Sequence, residues 1–220
     1  MPILLRGYRR LTTLSQRVSQ LDFLGLLLLR LYLAPIFILA GWGKLAALED
    51  TAYYFSEYLN MPAPMLMAIL AGSAELIGGI SLLLGIGVRL FSMPLMITMV
   101  VAAVTAHWEN GWHVLPETTL TVPWEWREDL LQQAAEHKQQ VIALVQQQGD
   151  YAQLTEAGSI TILKNGIEFT VTYFVMLLML FFYGAGRYIS IDFWLNRALN
   201  PTYHRSDDHS HIAVKAHVTH

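Results

Sequence analysis

The sequence predicts an all-α membrane protein: a four-transmembrane-helix bundle with an extracytoplasmic helical insertion between helices three and four. Three observations carry that expectation. Apolar residues make up 54% of the 220 and charged residues only 14%, whereas a soluble domain carries about 25% charged residues. The apolar material gathers in four blocks, near 23–45, 65–88, 90–108 and 166–186, each close to the ~20 residues that cross a bilayer. Lysine and arginine are also distributed unevenly between alternate connections, as the two faces of a membrane require.

Taken in order, residues 1–22 read as a basic cytoplasmic lead-in with Arg6, Arg9, Arg10 and Arg17, suited to an anionic leaflet. Residues 23–108 hold transmembrane helices one to three. Pro35 removes a backbone hydrogen bond from the first and is expected to kink it. Ala74, Gly78, Ser81 and Gly85 place small residues along one stripe of the second, where a neighbouring backbone can come close. The link from Gly85 to Arg89 is so short that spans two and three form an antiparallel hairpin. Residues 109–165 are polar and contain an amphipathic stretch, Trp124 to Gln148, with Leu130, Leu131, Ala134, Val141, Ile142 and Val145 on one face. Helix four is expected over 166–192, and a His-rich cytoplasmic tail over 193–220.

The charges set an orientation. Arg89, Arg187 and Arg197 join the N-terminal arginines on one side, while both other connections are acidic on balance. Both termini are therefore expected in the cytoplasm. Trp42, Trp108 and Trp112 fall where outer interfacial anchors belong. A cleaved signal peptide is not expected, because the first apolar stretch is too long and contains Arg30 and Lys44.

Two charges fall inside the apolar blocks, Arg30 in the first and Glu75 in the second. A charge at bilayer depth costs a few kcal/mol and turns towards a partner in the bundle interior. Counting ~1.5 Å per residue places both near mid-membrane, as an intramembrane polar centre in which they pair. Lys44, His107, Asn165 and Glu168 form an expected outer polar cluster, and the two groups together form a polar track. Such a track suits proton-coupled quinol chemistry, a route for a small solute, or a metal held through His107 and Glu168. A structural ion pair below, with Lys44 and His107 snorkelling above, is the competing reading. Tyr32, Tyr173 and Tyr183 are further candidates to hydrogen-bond a quinone head group. In the tail, His204, His209 and His211 are candidate metal ligands, against the alternative of a solvated tail. The absence of cysteine excludes disulfides and thiol catalysis by this chain. No Walker loop, nucleotide fingerprint, HExxH or nucleophile elbow is present, and nothing points to nucleic acid.

Arg30 followed by Gly41-Trp42-Gly43-Lys44 resembles the first-span pattern of the DoxX family of small four-helix membrane proteins. The run Gly72-Ser73-Ala74-Glu75-Leu76-Ile77-Gly78-Gly79, with Gly85-Ile86-Gly87 and Arg89 after it, is similar too, as are His107 and Asn165 with Glu168. The stretch from Gly184 to Asp192 resembles the closing motif of that family. The long acidic outer loop departs from the basic pattern. With His107 to His113 and Asn165 to Phe169, it resembles an HvfX-type subgroup associated with maturation of copper-binding peptides.

The resemblance implies an integral protein of the bacterial inner membrane, an accessory subunit of a membrane oxidoreductase or of a redox or copper stress system. Quinone or copper is the implied cofactor, and the implied partners are the lipid bilayer and oxidoreductase or peptide-maturation proteins. It transfers no catalytic residue set. A non-enzymatic binding, transport or partner-docking module is the alternative, and a bundle that merely anchors its loop is a third.

Overall fold

The computed structural model describes residues 22–115, 124–187 and 189–199. The lead-in, most of the tail with His204, His209 and His211, and the proline-bounded stretch 116–123 lie outside them. Among the described residues every regular element is helical.

Helix α1, Asp22–Ala46, runs unbroken through Pro35. A short helix follows, α2 over Leu48–Glu57, whose Ala52 and Phe55 pack against Ala68 of the next element. Helix α3, Pro64–Leu84, begins on a proline, whose missing N–H is not needed in a first turn. It ends at Gly85, where φ is +71° and the Gly85 N–H bonds to the Ser81 carbonyl. A left-handed φ there is cheap only for glycine. Two residues later the chain re-enters a helix, α4 over Val88–Ala102, giving the expected hairpin. Helix α4 continues as a π-helical turn, Ala103–His107, and a tighter turn, Trp108–Asn110.

The insertion contains α5, Glu128–Gln148, and a single turn α6, Tyr151–Leu154, capped by the Asp150 carboxylate. Helix α5 begins four residues later than the amphipathic pattern suggested, because Trp124–Arg127 is spent on a turn that positions Glu125. Helix α7, Glu168–Tyr183, is followed by α8, Ile191–Leu199. The fourth helix, expected over 166–192, thus ends at Tyr183, and most of α8 lies in the stretch read as tail. Gly184 and Gly186, with φ of +77° and +80°, make the break.

Helices α1, α3, α4 and α7 form the bundle: α1 packs on α3, α3 on α4, α4 on α7, and α7 meets α1 again. Leu33, Phe37, Leu82, Val88, Leu95, Leu177 and Leu180 fill its centre. Outside, Leu28, Leu39, Leu90, Ile97 and Phe182 are all more than half exposed. Three helical stretches, Phe23–Ala46, Pro64–Leu84 and Val88–Asn110, are long and apolar enough to cross a membrane, while α7 is apolar but shorter. A bundle with a filled interior and an apolar exterior is an integral membrane protein in contact with lipid.

The register of α1 against α3 comes from glycine. A Cβ on Gly41 would lie 2.4 Å from the Leu76 backbone nitrogen, and one on Gly79 would lie 2.8 Å from the Ile38 nitrogen. The two backbones touch at both places. Gly43, two residues from Gly41, has nothing within 4 Å of its would-be Cβ. We expect Gly41→Ala to cost about 1–3 kcal/mol, by forcing the helices apart. Gly43→Ala should be neutral or stabilise by up to about 1 kcal/mol, because alanine is the better helix former. Thermal melts of the two variants in one detergent test this directly.

Candidate functional site

The expected Arg30–Glu75 pair does not form. Gly41 faces residues 72–76 and Gly79 faces residues 34–38, so Arg30 falls opposite the end of α3. Leu82 is seven residues beyond Glu75, a rise of about 10 Å along the helix. Depth counting assumed that both helices begin and end together, whereas the first turns of α1 overhang the end of α3.

Arg30 is instead buried to 1% exposure among carbonyl groups. Its Nε donates to the Leu82 carbonyl at 2.8 Å, and Nη2 donates to that of Leu83 at 3.2 Å. Its Nη1 donates to the carbonyls of Ala185 at 2.7 Å and Ile189 at 2.9 Å. The last turn of a helix leaves carbonyls without intrahelical partners, at the negative end of its dipole. One planar guanidinium satisfies those at the end of α3 and in the turn after α7. Asp192 performs the reverse task beside it, accepting from the Gly87 and Val88 N–H groups at the start of α4 at 2.8 and 3.3 Å. The stretch Gly184 to Asp192 is thus half of a clamp that ties α1, α3, α4 and α7 at their hairpin end.

Glu75 finds its partner in the other direction. Lys44 Nζ donates to Glu75 Oε2 at 2.5 Å, with the carboxylate side chain 6% exposed and the lysine 28% exposed. Lys44 sits one helical turn beyond Gly41 and reaches back along α3 past Gly72. The result is a mixed-charge centre inside the bundle, open on the lysine side.

Lys44, which the sequence grouped with three outer residues, makes its ion pair with Glu75. The other three do converge through the loops. His107 Nδ1 lies 2.9 Å from the Asn165 carbonyl oxygen, and Glu168 Oε2 accepts from the Val114 N–H at 3.1 Å. Asn165 adopts φ +62°, and residues 164–168 hydrogen-bond with residues 111–114. Gly166 permits that approach, since a Cβ there would lie 2.4 Å from the Trp112 carbonyl.

At the centre of this lobe is a cluster that sequence reasoning missed. The Glu125 side chain is fully buried and accepts from His113 Nδ1 at 2.8 Å and Lys164 Nζ at 2.9 Å. It also accepts from the Trp112, His113 and Arg127 backbone N–H groups. A carboxylate only accepts, so the His113 proton is on Nδ1. Burial pushes the Glu125 carboxyl up, but the hydrogen bonds from Lys164, His113 and the backbone outweigh it and hold it well below the usual carboxylate range. No spacing links residues 113, 125 and 164. The available signal was a lone carboxylate between Trp124 and Trp126.

No group of three or more His, Cys, Asp or Glu residues suited to a metal ion is assembled among the described residues. His107 and Glu168 each direct an atom at backbone instead.

Residues 25–108 match the DoxX family model. The DoxX match spans Arg30, Lys44, Glu75 and His107, so it includes the Lys44–Glu75 centre and half of the hairpin-end clamp. It stops before the insertion, leaving Glu125, His113 and Lys164 outside. No curated protein and no solved structure matches the chain.

Arg30→Ala should be strongly destabilising, because each buried carbonyl left without a donor costs about 1–3 kcal/mol. Arg30→Lys should recover only part of that loss, which detergent unfolding of both variants measures. For Glu125 the sign is also fixed. Its folded pKa lies below the unfolded one, so its contribution is present at neutral pH and fades as pH falls below about 4. Tryptophan emission from the insertion should report loosening on acidification in the wild type, and a much weaker pH dependence in Glu125→Gln.

Proposed function

We propose that this chain is a DoxX-type protein of the bacterial inner membrane. In this reading α7 completes a fourth span and both termini are cytoplasmic. Its role is that of an accessory subunit in a membrane oxidoreductase or a redox-stress system. The observation that carries the proposal is the Lys44–Glu75 pair, a charged centre held inside an apolar bundle and lying within the family match. A purely structural role would be served as well by apolar packing, since a buried ion pair seldom repays its desolvation.

Of the two implied cofactors, the described residues suit a quinone better than copper. The partly exposed Lys44 leaves the pair approachable from one side. Tyr32 and Tyr173 bring hydroxyl groups together where α1 meets α7. Copper would want a set of thiolate, thioether or imidazole ligands, and His107 with Glu168 does not supply one. A bound quinone would supply the two-electron chemistry. Glu75 offers it a proton-accepting oxygen, Lys44 orients that carboxylate, and the surrounding apolar side chains exclude water.

A docking reading has its own observation. Val141 and Leu144, on the second half of α5, are exposed to 39% and 57%, as a partner-binding helix would leave them. Under that reading the extracytoplasmic helix recruits a soluble protein, such as a peptide-maturation partner, and the bundle serves as its anchor.

Purification in mild detergent followed by solvent extraction separates these readings. About one quinone per chain in the wild type, lost in a Glu75→Gln variant that still melts cooperatively, is the expected result. No extractable quinone, together with a co-purifying soluble protein that disappears on deleting residues 124–148, would replace the redox reading with the docking one.

A further inference from the structure

We propose that α8, Ile191–Leu199, is an interfacial helix that lies in the headgroup layer and, with Arg89 and Arg187 beside it, holds anionic phospholipid. The inference rests on the membrane reading of the bundle and adds a lipid-binding face to it.

Hydrogen bonds fix the position of α8. The Asp192 N–H donates to the Gly85 carbonyl at 3.0 Å, and its carboxylate accepts from Gly87 and Val88. Ser190 Oγ accepts from the Phe193 N–H at 3.2 Å and so caps the helix start. Those contacts bolt α8 to the turn where α3 ends and α4 begins, which is the level at which two spans leave the bilayer. Nine residues of helix extend about 13 Å, too short to cross a membrane but long enough to lie along one.

At about 100° per residue, Ile191, Trp194, Leu195, Ala198 and Leu199 share one arc of α8. Every one of them is exposed, Leu199 to 75%. Asp192 lies off that arc, on the side that meets the bundle. An exposed apolar arc at the height of the span ends suits the boundary between acyl chains and headgroups. It continues the apolar exterior of the bundle, since Ile86 and Leu90 are exposed beside it.

The charges fit the same surroundings. The Arg197 guanidinium sits 5.5 Å over the Trp194 ring, which pairs an interfacial aromatic with a cation that reaches towards phosphate. Arg187 is exposed in the turn before α8, and the Arg89 side chain lies against Gly184 at the start of that turn. Three guanidinium groups around an apolar helix complement an anionic leaflet.

The chain has no cysteine, so single spin labels are simple to place. The experiment uses the full chain in nanodiscs of phosphatidylcholine and phosphatidylglycerol, with Leu195→Cys, Leu199→Cys, Asn196→Cys and, on the lipid-facing side of α3, Ile80→Cys. Labels at 195, 199 and 80 are expected to collide with oxygen and not with a water-soluble nickel complex, and the label at 196 with nickel. If 195 and 199 collide with nickel while 80 does not, the interfacial helix is wrong and the membrane reading stands. If both reagents are blocked at 195 and 199, protein rather than lipid covers the helix, which also overturns the proposal. Nickel access at 80 would remove the membrane reading itself. For the headgroup contact, the lipid retained through mild detergent should be enriched in phosphatidylglycerol, and Arg89→Gln with Arg187→Gln should cut that enrichment several-fold. Equal retention in that double variant overturns the anionic preference.

Discussion

The close approach of α1 to α3 is the constraint on which the other features depend. Gly41 against Leu76 and Gly79 against Ile38 bring backbone to backbone, which fixes both the distance and the register of the two helices. In lipid there is no hydrophobic force between helices, so such small-residue contacts are the means by which a specific pairing is chosen. Once that register is set, each buried charge has a single place to go. Arg30 falls against the end of α3, and Glu75 falls within reach of Lys44.

The two charges illustrate different solutions to the same cost. Arg30 is solvated by four carbonyl groups at the ends of other elements. It serves as a shared cap, using partial charges the bundle had to satisfy in any case. Glu75 is solvated by one full opposite charge. The first arrangement closes the hairpin end completely. The second leaves Lys44 partly exposed, so the same pair that stabilises the interior also keeps it reachable. The insertion end repeats the first strategy with signs reversed: Glu125 gathers N–H groups from three backbone positions and two side chains.

Much of the bundle was legible in the sequence, because apolar blocks of the right length are a strong signal and Gly85 to Arg89 admits only a hairpin. Arg30 and Glu75 were also legible as buried charges, since nothing else explains them in such surroundings. Their partners were not. Register depends on which glycines touch, and Gly41 and Gly43 look alike in sequence although only one of them meets another backbone. The Glu125 cluster was hidden for a related reason. Its three members come from separate loop segments brought together by main-chain bonds around Gly166, and loop closure leaves no periodic trace. The break at Gly184 and Gly186 was read as part of a motif but not as the end of a helix, because the apolar pattern resumes at Ile189.

A double-mutant cycle between Lys44 and Glu75, compared with one between Arg30 and Glu75, tests the register and the charge assignment together. Lys44→Met, Arg30→Met and Glu75→Gln, singly and in pairs, supply the six unfolding measurements besides the wild type, with the Arg30→Met/Lys44→Met pair as a control. A coupling of about 1 kcal/mol or more between Lys44 and Glu75, with near-additive behaviour for Arg30 and Glu75, is the expected result. Strong coupling of Arg30 to Glu75, with Lys44 additive, would contradict the account.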